Sequence, residues 1–79
     1  MTVHIKLFAS AREHACADSI ALTVPAPVTL YRLRYLMDET APALSGTRGR
    51  WAVNMEFAEG DYMVQPGDEL AWIPPVCGG

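Results

Sequence analysis

The sequence finishes on "PPVCGG", Pro74 to Gly79. Pro74 and Pro75 fix φ and favour extended backbone, so they stop whatever strand precedes them and aim the chain outward. Six extended residues reach roughly 20 Å. Val76 and Cys77 are modest in size, and Gly78 and Gly79 have no side chains. Such a segment fits a narrow channel with only its backbone as cross-section. Its one reactive group is then the terminal carboxylate of Gly79. A carboxylate is inert in water until it is activated as a mixed anhydride with a nucleotide, which a sulfur, amine or thiol nucleophile then displaces. Glycine suits this use, because nothing crowds its carbonyl and its backbone adapts to more than one active site. The competing reading is a frayed terminus of small residues.

The other chemistry-bearing residues do not assemble into a site. His4, His14, Cys16 and Cys77 lack zinc spacing: His14 and Cys16 are too close in sequence, and there is no CxxC pair. No metal is expected. No Ser-His-Asp or Cys-His arrangement, P-loop or dinucleotide fingerprint appears. Both cysteines read as unpaired thiols. Cys77 has no basic neighbour in sequence to activate it. Arg48 and Arg50 sit beside glycines in "GTRGR", which suits either a phosphate contact or a solvated turn. Glu56, Glu59, Asp61, Asp68 and Glu69 flank turns and read as surface charges, some of which can meet a basic rim on a partner. Activation and acid–base work are therefore expected on other proteins. This chain would supply an end group and a docking surface.

The elements that must carry that end group follow from periodicity. "VHIKLFA" alternates, with Val3, Ile5 and Leu7 on one face and His4, Lys6 and Phe8 on the other. "SAREHACADS" loses the alternation and reads as a turn or short loop. "SIALTV" resumes it through Ile20, Leu22 and Val24, which suggests an antiparallel hairpin. A helix follows, with Thr29 as N-cap, Val28 and Leu33 as a hydrophobic staple, and Leu30, Leu33, Leu36 and Met37 at helical spacing. Pro42 stops it near Thr40. "WAVNMEF" is strand-like, "EGD" a turn and "YMV" a short strand; "QPGD" is a type II turn and "ELAWI" the last strand. The order β-β-α-β-β-β gives an α+β fold, a mixed sheet of about five strands with one main helix across one face. This is the β-grasp arrangement, with first and last strands parallel at the centre. The helix covers one sheet face only, yet "LAWI" is apolar on both sides and Phe8 lies opposite Val3, Ile5 and Leu7. An open face that a partner covers is expected.

At 79 residues the chain is read as one domain, 1–79, with residues 74–79 as a flexible tail. Six bases against nine acids, a net charge of -3, argue against nucleic acid. Pro25, Pro27, Pro74 and Pro75 keep every apolar run well short of the roughly 20 residues a membrane span needs. "MTVHIKLFAS" has no basic cap followed by an apolar block, so no signal peptide and a cytoplasmic location are expected.

Four blocks carry a resemblance over the whole length: "LFASARE" (Leu7 to Glu13), "AVN" (Ala52 to Asn54), "GDELAWIPPV" (Gly67 to Val76) and the final Gly78-Gly79. With them the chain resembles the small subunits of molybdopterin synthase, ubiquitin-like β-grasp sulfur carriers. The resemblance implies that Gly79 is adenylated and then thiocarboxylated, with Gly78 giving access. It implies an ATP-using adenylyltransferase that resembles ubiquitin-activating enzymes, and no tightly bound cofactor. It implies a large subunit that receives the tail in a heterotetramer, where the sulfur passes to a cyclic pyranopterin phosphate. Phe8, Pro75, Val76 and Cys77 become the partner-facing residues. Arg12 and Glu13 match the family's "ARE" stretch without a derivable role, and Cys77 stands where such tails usually carry Ser, Thr or Ala. Carriers serving thiamine, cysteine or tRNA thiolation, a protein modifier, and a plain interaction domain stay open as alternatives.

Overall fold

A computed structural model describes residues 1–75. Among these residues seven strands and two α-helices follow in order: β1 Thr2–Leu7, α1 Ala9–Ala15, β2 Ser19–Thr23, β3 Val28–Thr29, α2 Leu30–Thr40, β4 Arg50–Val53, β5 Glu56–Ala58, β6 Met63–Val64 and β7 Leu70–Ile73. A 3-10 turn at Pro42–Leu44 follows α2. Five strands form one sheet in the order β2-β1-β7-β4-β5, while β3 and β6 pair separately. β1 pairs antiparallel with β2, placing Ile5 opposite Ile20. It pairs parallel with β7, placing Ile5 opposite Leu70 and Leu7 opposite Trp72. The first and last strands thus lie side by side, as expected, with β7 central.

The alternation of β1 is kept throughout: Val3, Ile5 and Leu7 are buried, and Thr2, His4 and Lys6 are exposed. α2 begins where the sequence requires. The Thr29 hydroxyl accepts from the Arg32 N–H at 3.2 Å, which satisfies one of the helix's free donors. Leu30, Leu33 and Met37 are fully buried on its inner stripe. They join Ile5, Leu44, Leu70 and the Trp51–Trp72 pair in one core between helix and sheet. The two indoles meet edge-on, ring centres 5.1 Å apart. Each such aliphatic side chain contributes about 1.5–3 kcal/mol when buried.

Two expected features are corrected. The segment after β1 is not a loop: Ala9–Ala15 forms two helical turns, closed by Cys16 in a left-handed conformation at φ 55°. Its composition is good for helix, but only Ala11 is buried, so no apolar stripe marks it. "WAVNMEF" is not one strand either. It folds at Asn54-Met55 into the β4–β5 hairpin, with Trp51 opposite Ala58 and Val53 opposite Glu56. Both turn residues have positive φ, 51° and 70°, the conformation a two-residue hairpin turn demands. The type II turn at Pro66-Gly67 is present, with Gly67 at φ 89° and the Asp68 N–H donating to Gln65 O. No helix among the described residues is long and apolar enough to cross a membrane.

Candidate functional site

The sheet face away from α2 is concave, and no described element covers it. Its register runs from Phe57 on β5 through Ala52 on β4 and Ala71 on β7 to Lys6 on β1. Two alanines on the central strands make a low floor, and larger residues around them make walls. The depression, about 350 Å³, is lined by Phe8, Ala52, Met55, Phe57, Ala71 and Ile73, with Lys6 and Glu69 also bordering it. Phe8 is 46% exposed, Phe57 56% and Met55 93%. Apolar side chains grouped this way around a concavity mark a surface for another molecule. Phe8 was expected here. It leaves the end of β1 in extended conformation as the residue before α1, which holds its ring on the open side.

Met55 and Phe57 were not expected at this face, because the single-strand reading hid their hairpin. The signal was Asn54, a residue tolerant of left-handed backbone, set between two apolar runs. Asn54 also fastens the hairpin to the start of β7. Its N–H donates to Glu69 O at 2.8 Å, its Oδ1 accepts from Glu69 N–H at 3.0 Å, and its Nδ2 donates to Asp68 Oδ1 at 3.0 Å. Asp68 is therefore more than the surface charge read from sequence. Its Oδ2 accepts from the Gln65 N–H at 2.8 Å and the Tyr62 hydroxyl at 2.9 Å. The Gln65 backbone donor, opposed by partial desolvation and helped by Asn54 and Tyr62, holds this carboxyl below the usual carboxylate range. The same bond to Asp68, with desolvation and the nearby negative charge, pushes the Tyr62 hydroxyl up.

The tail leaves from one edge of this face. Pro74 is buried and Pro75 exposed, so the chain emerges between them. A groove there is lined by Arg48, Arg50, Phe57, Ile73, Pro74 and Pro75. The guanidinium of Arg50 lies over the Phe57 ring, its carbon 3.9 Å from the ring centre. Behind the root, Trp72 is packed from three sides. Trp51 meets it edge-on, a Cβ added to Gly49 would fall 2.6 Å from its ring, and the guanidinium carbon of Arg34 lies 4.3 Å from its centre. Arg34 falls outside the helical spacing of Leu30, Leu33, Leu36 and Met37. It is half-buried and ties α2 to the chain before β4, donating to Leu44 O at 3.1 Å and Thr47 O at 2.8 Å. Its Nε faces both oxygens of Asp38, at 3.1 and 3.3 Å.

Pro75 is thus placed at the tail root, while Val76, Cys77, Gly78 and Gly79 lie outside the described residues. His4 is an exposed residue of β1. His14 belongs to α1 rather than to a loop and is also exposed. Arg12 and Glu13 lie on α1. Arg12 approaches Asp18 only to 3.9 Å, both side chains being largely exposed, a contact worth about 0–1 kcal/mol. Their backbone carbonyls accept from Ala17 and Cys16 and close the helix.

Residues 5–79 match the ThiS family. The molybdopterin synthase sulfur carrier subunit of Homo sapiens is 34% identical over 82 residues, covering 98% of this chain and 93% of that protein. Among solved structures, SAMP1, the small archaeal modifier protein 1 of Haloferax volcanii, superposes with a TM-score of 0.89 at 27% identity, covering all of both chains. A complex of subunits 1 and 2 of the molybdopterin-converting factor of Helicobacter pylori holds a chain that matches over its full length, with a TM-score of 0.71 at 23% identity. Family match, near-complete coverage and the β-grasp sheet with parallel β1 and β7 agree: the chain belongs to the ThiS family of ubiquitin-like proteins.

Proposed function

We propose that this chain is the sulfur carrier subunit of a molybdopterin synthase. In this reading the Gly79 carboxylate attacks ATP in a separate activating enzyme, forming an acyl-adenylate and releasing pyrophosphate. A sulfur nucleophile then displaces AMP and leaves a thiocarboxylate. Docked on the large subunit, the tail delivers that sulfur to a cyclic pyranopterin monophosphate. The described residues do none of the bond-making. They hold the open face rigid, exclude water from it once it is covered, and aim the chain from Pro74 outward.

One observation carries the reading. Three sequence blocks far apart in the chain converge on the open face. "LFASARE" contributes Phe8, "AVN" contributes Ala52 and, through Asn54, a bond to Glu69, and "GDELAWIPPV" contributes Glu69, Ala71 and Ile73 with the tail root beside them. A docking surface and a departing tail on one side of the molecule are what a carrier that inserts its end into a partner needs. The name of the Homo sapiens relative supports the same assignment.

The likeness to an archaeal modifier protein favours a second reading, conjugation of Gly79 to a target amine. The sequence's one lysine, Lys6, borders the depression. Linking further copies there would block the open face, which argues against chain building. Intact mass after co-expression with the activating enzyme decides. Exchange of one oxygen for sulfur, followed by dithiolene product when precursor and large subunit are added, is expected. Deleting Gly79 abolishes transfer and leaves the fold intact. Lysine conjugates without any thiocarboxylate would replace the carrier reading with the modifier.

A further inference from the structure

The tail root carries charge that the fold does not use. With nine acids and six bases, the chain holds a carboxylate for every cation. Among the described residues only two ion pairs form, Arg12 with Asp18 and Arg34 with Asp38. Arg48 and Arg50 form none, and both border the groove from which the tail departs. Arg50 is also held in place. Its guanidinium carbon lies over the Phe57 ring, 3.9 Å from the ring centre, a contact that restricts its rotamers. A guanidinium carries its N–H donors in a planar fork, and that fork matches an acceptor with two oxygens in one plane.

We infer that Arg50, with Arg48 beside it, is a carboxylate-binding clamp at the tail root, and that the large subunit presents an Asp or Glu side chain to it. The inference rests on the reading of the open face as the large-subunit interface. Covering that face with an apolar surface strips water from the guanidinium edge. A charge buried without a partner is costly, so the covering protein must supply an acceptor there. A two-pronged carboxylate neutralises the charge and fixes its own orientation. It thereby sets the line along which Pro74 and Pro75 lead the chain into the partner. Arg32 provides an internal comparison. It too forms no ion pair among the described residues and stacks on an aromatic ring, but that ring is Tyr35, on the outer side of α2.

The test is association of the full-length chain with its cognate large subunit at about 0.05 M and about 0.5 M NaCl. Arg50→Glu is expected to raise Kd by about 30- to 100-fold at the lower salt, and by markedly less at the higher. Arg50→Lys keeps the charge but loses the planar fork, and is expected to weaken binding about 5- to 10-fold. Arg32→Glu is expected to stay within about 2-fold of the wild type. Equal losses at Arg32 and Arg50 would reduce the effect to overall field and overturn the clamp. A complex indifferent to Arg50→Glu would overturn the clamp alone. Failure of the wild-type chain to bind any large subunit would overturn the interface reading and the clamp with it.

Discussion

The Arg34 guanidinium carbon lies 4.3 Å from the Trp72 ring centre, while its Nη2 donates to Leu44 O and Thr47 O and its Nε to Asp38. One side chain thus joins α2, the turn before β4 and the strand that ends at the tail. Arg34→Ala removes charge-assisted hydrogen bonds worth about 1.5–3 kcal/mol each in partly buried settings, takes the side-chain donor from Thr47 O and strips the cation from the indole face, while Leu44 O keeps its bonds from Thr47. A loss of about 2–4 kcal/mol in urea unfolding is expected. Arg34→Lys recovers less than half of it, because an ammonium cannot reach two carbonyls and a carboxylate from one plane.

Gly49 is the other support of Trp72. An added Cβ would lie 2.6 and 2.7 Å from ring carbons of a side chain that is itself buried. Gly49→Ala therefore forces either the indole or the chain before β4 to move, at about 1–3 kcal/mol. Gly46 offers the comparison, with open space around its Cβ position and a φ of 79°. Gly46→Ala meets only backbone strain, about 1 kcal/mol. Tryptophan emission separates the two: it shifts for Gly49→Ala and stays unchanged for Gly46→Ala.

Asp68 makes stability depend on acid. Its carboxyl is held below its unfolded value chiefly by the Gln65 N–H, with Asn54 and Tyr62 adding. A depressed carboxylate contributes stability in full above its unfolded pKa, and the contribution is lost as pH falls through the native value. Urea midpoints measured from neutral pH downward are expected to fall below about pH 4. In Asp68→Asn the midpoint starts lower and that part of the acid slope disappears. An unchanged slope would mean the network around Asp68 exchanges its bonds for water without cost.

The fold was legible wherever burial has a period. β1, α2 and β7 each bury one regular stripe, and Thr29 caps α2 as its side-chain chemistry demands. α1 was not legible, because a two-turn helix that buries a single alanine leaves no stripe. Half of the candidate site followed from one fact, that Phe8 and the last strand are apolar on the wrong side. The other half depended on a turn. An apolar run through Asn54 and Met55 looks like strand, and only the antiparallel pairing of β4 with β5 and the positive φ of both residues reveal the reversal. Arg34 was hidden for another reason. A helical wheel assigns an arginine beside the stripe to solvent, whereas its long stem reaches past the helix to carbonyls far along the chain.

Met55 sets stability against docking. It holds φ at 70° with its side chain 93% exposed, so the fold gains no packing from it while bearing left-handed strain. Two-residue hairpin turns of this kind favour Asn-Gly, and here Asn54 is present but glycine is not. Met55→Gly relieves the strain, and a stability gain of about 0.5–1 kcal/mol is expected by thermal unfolding. The same change removes an apolar wall of the depression beside Phe8 and Phe57. A methionine buried against the large subunit is worth about 1.5–3 kcal/mol, so binding is expected to weaken by about 10-fold or more. A variant that is more stable and binds as well as the wild type would place the contact elsewhere on the face. The opposite movement of the two measurements would identify Met55 as a residue kept for the partner at the expense of the fold.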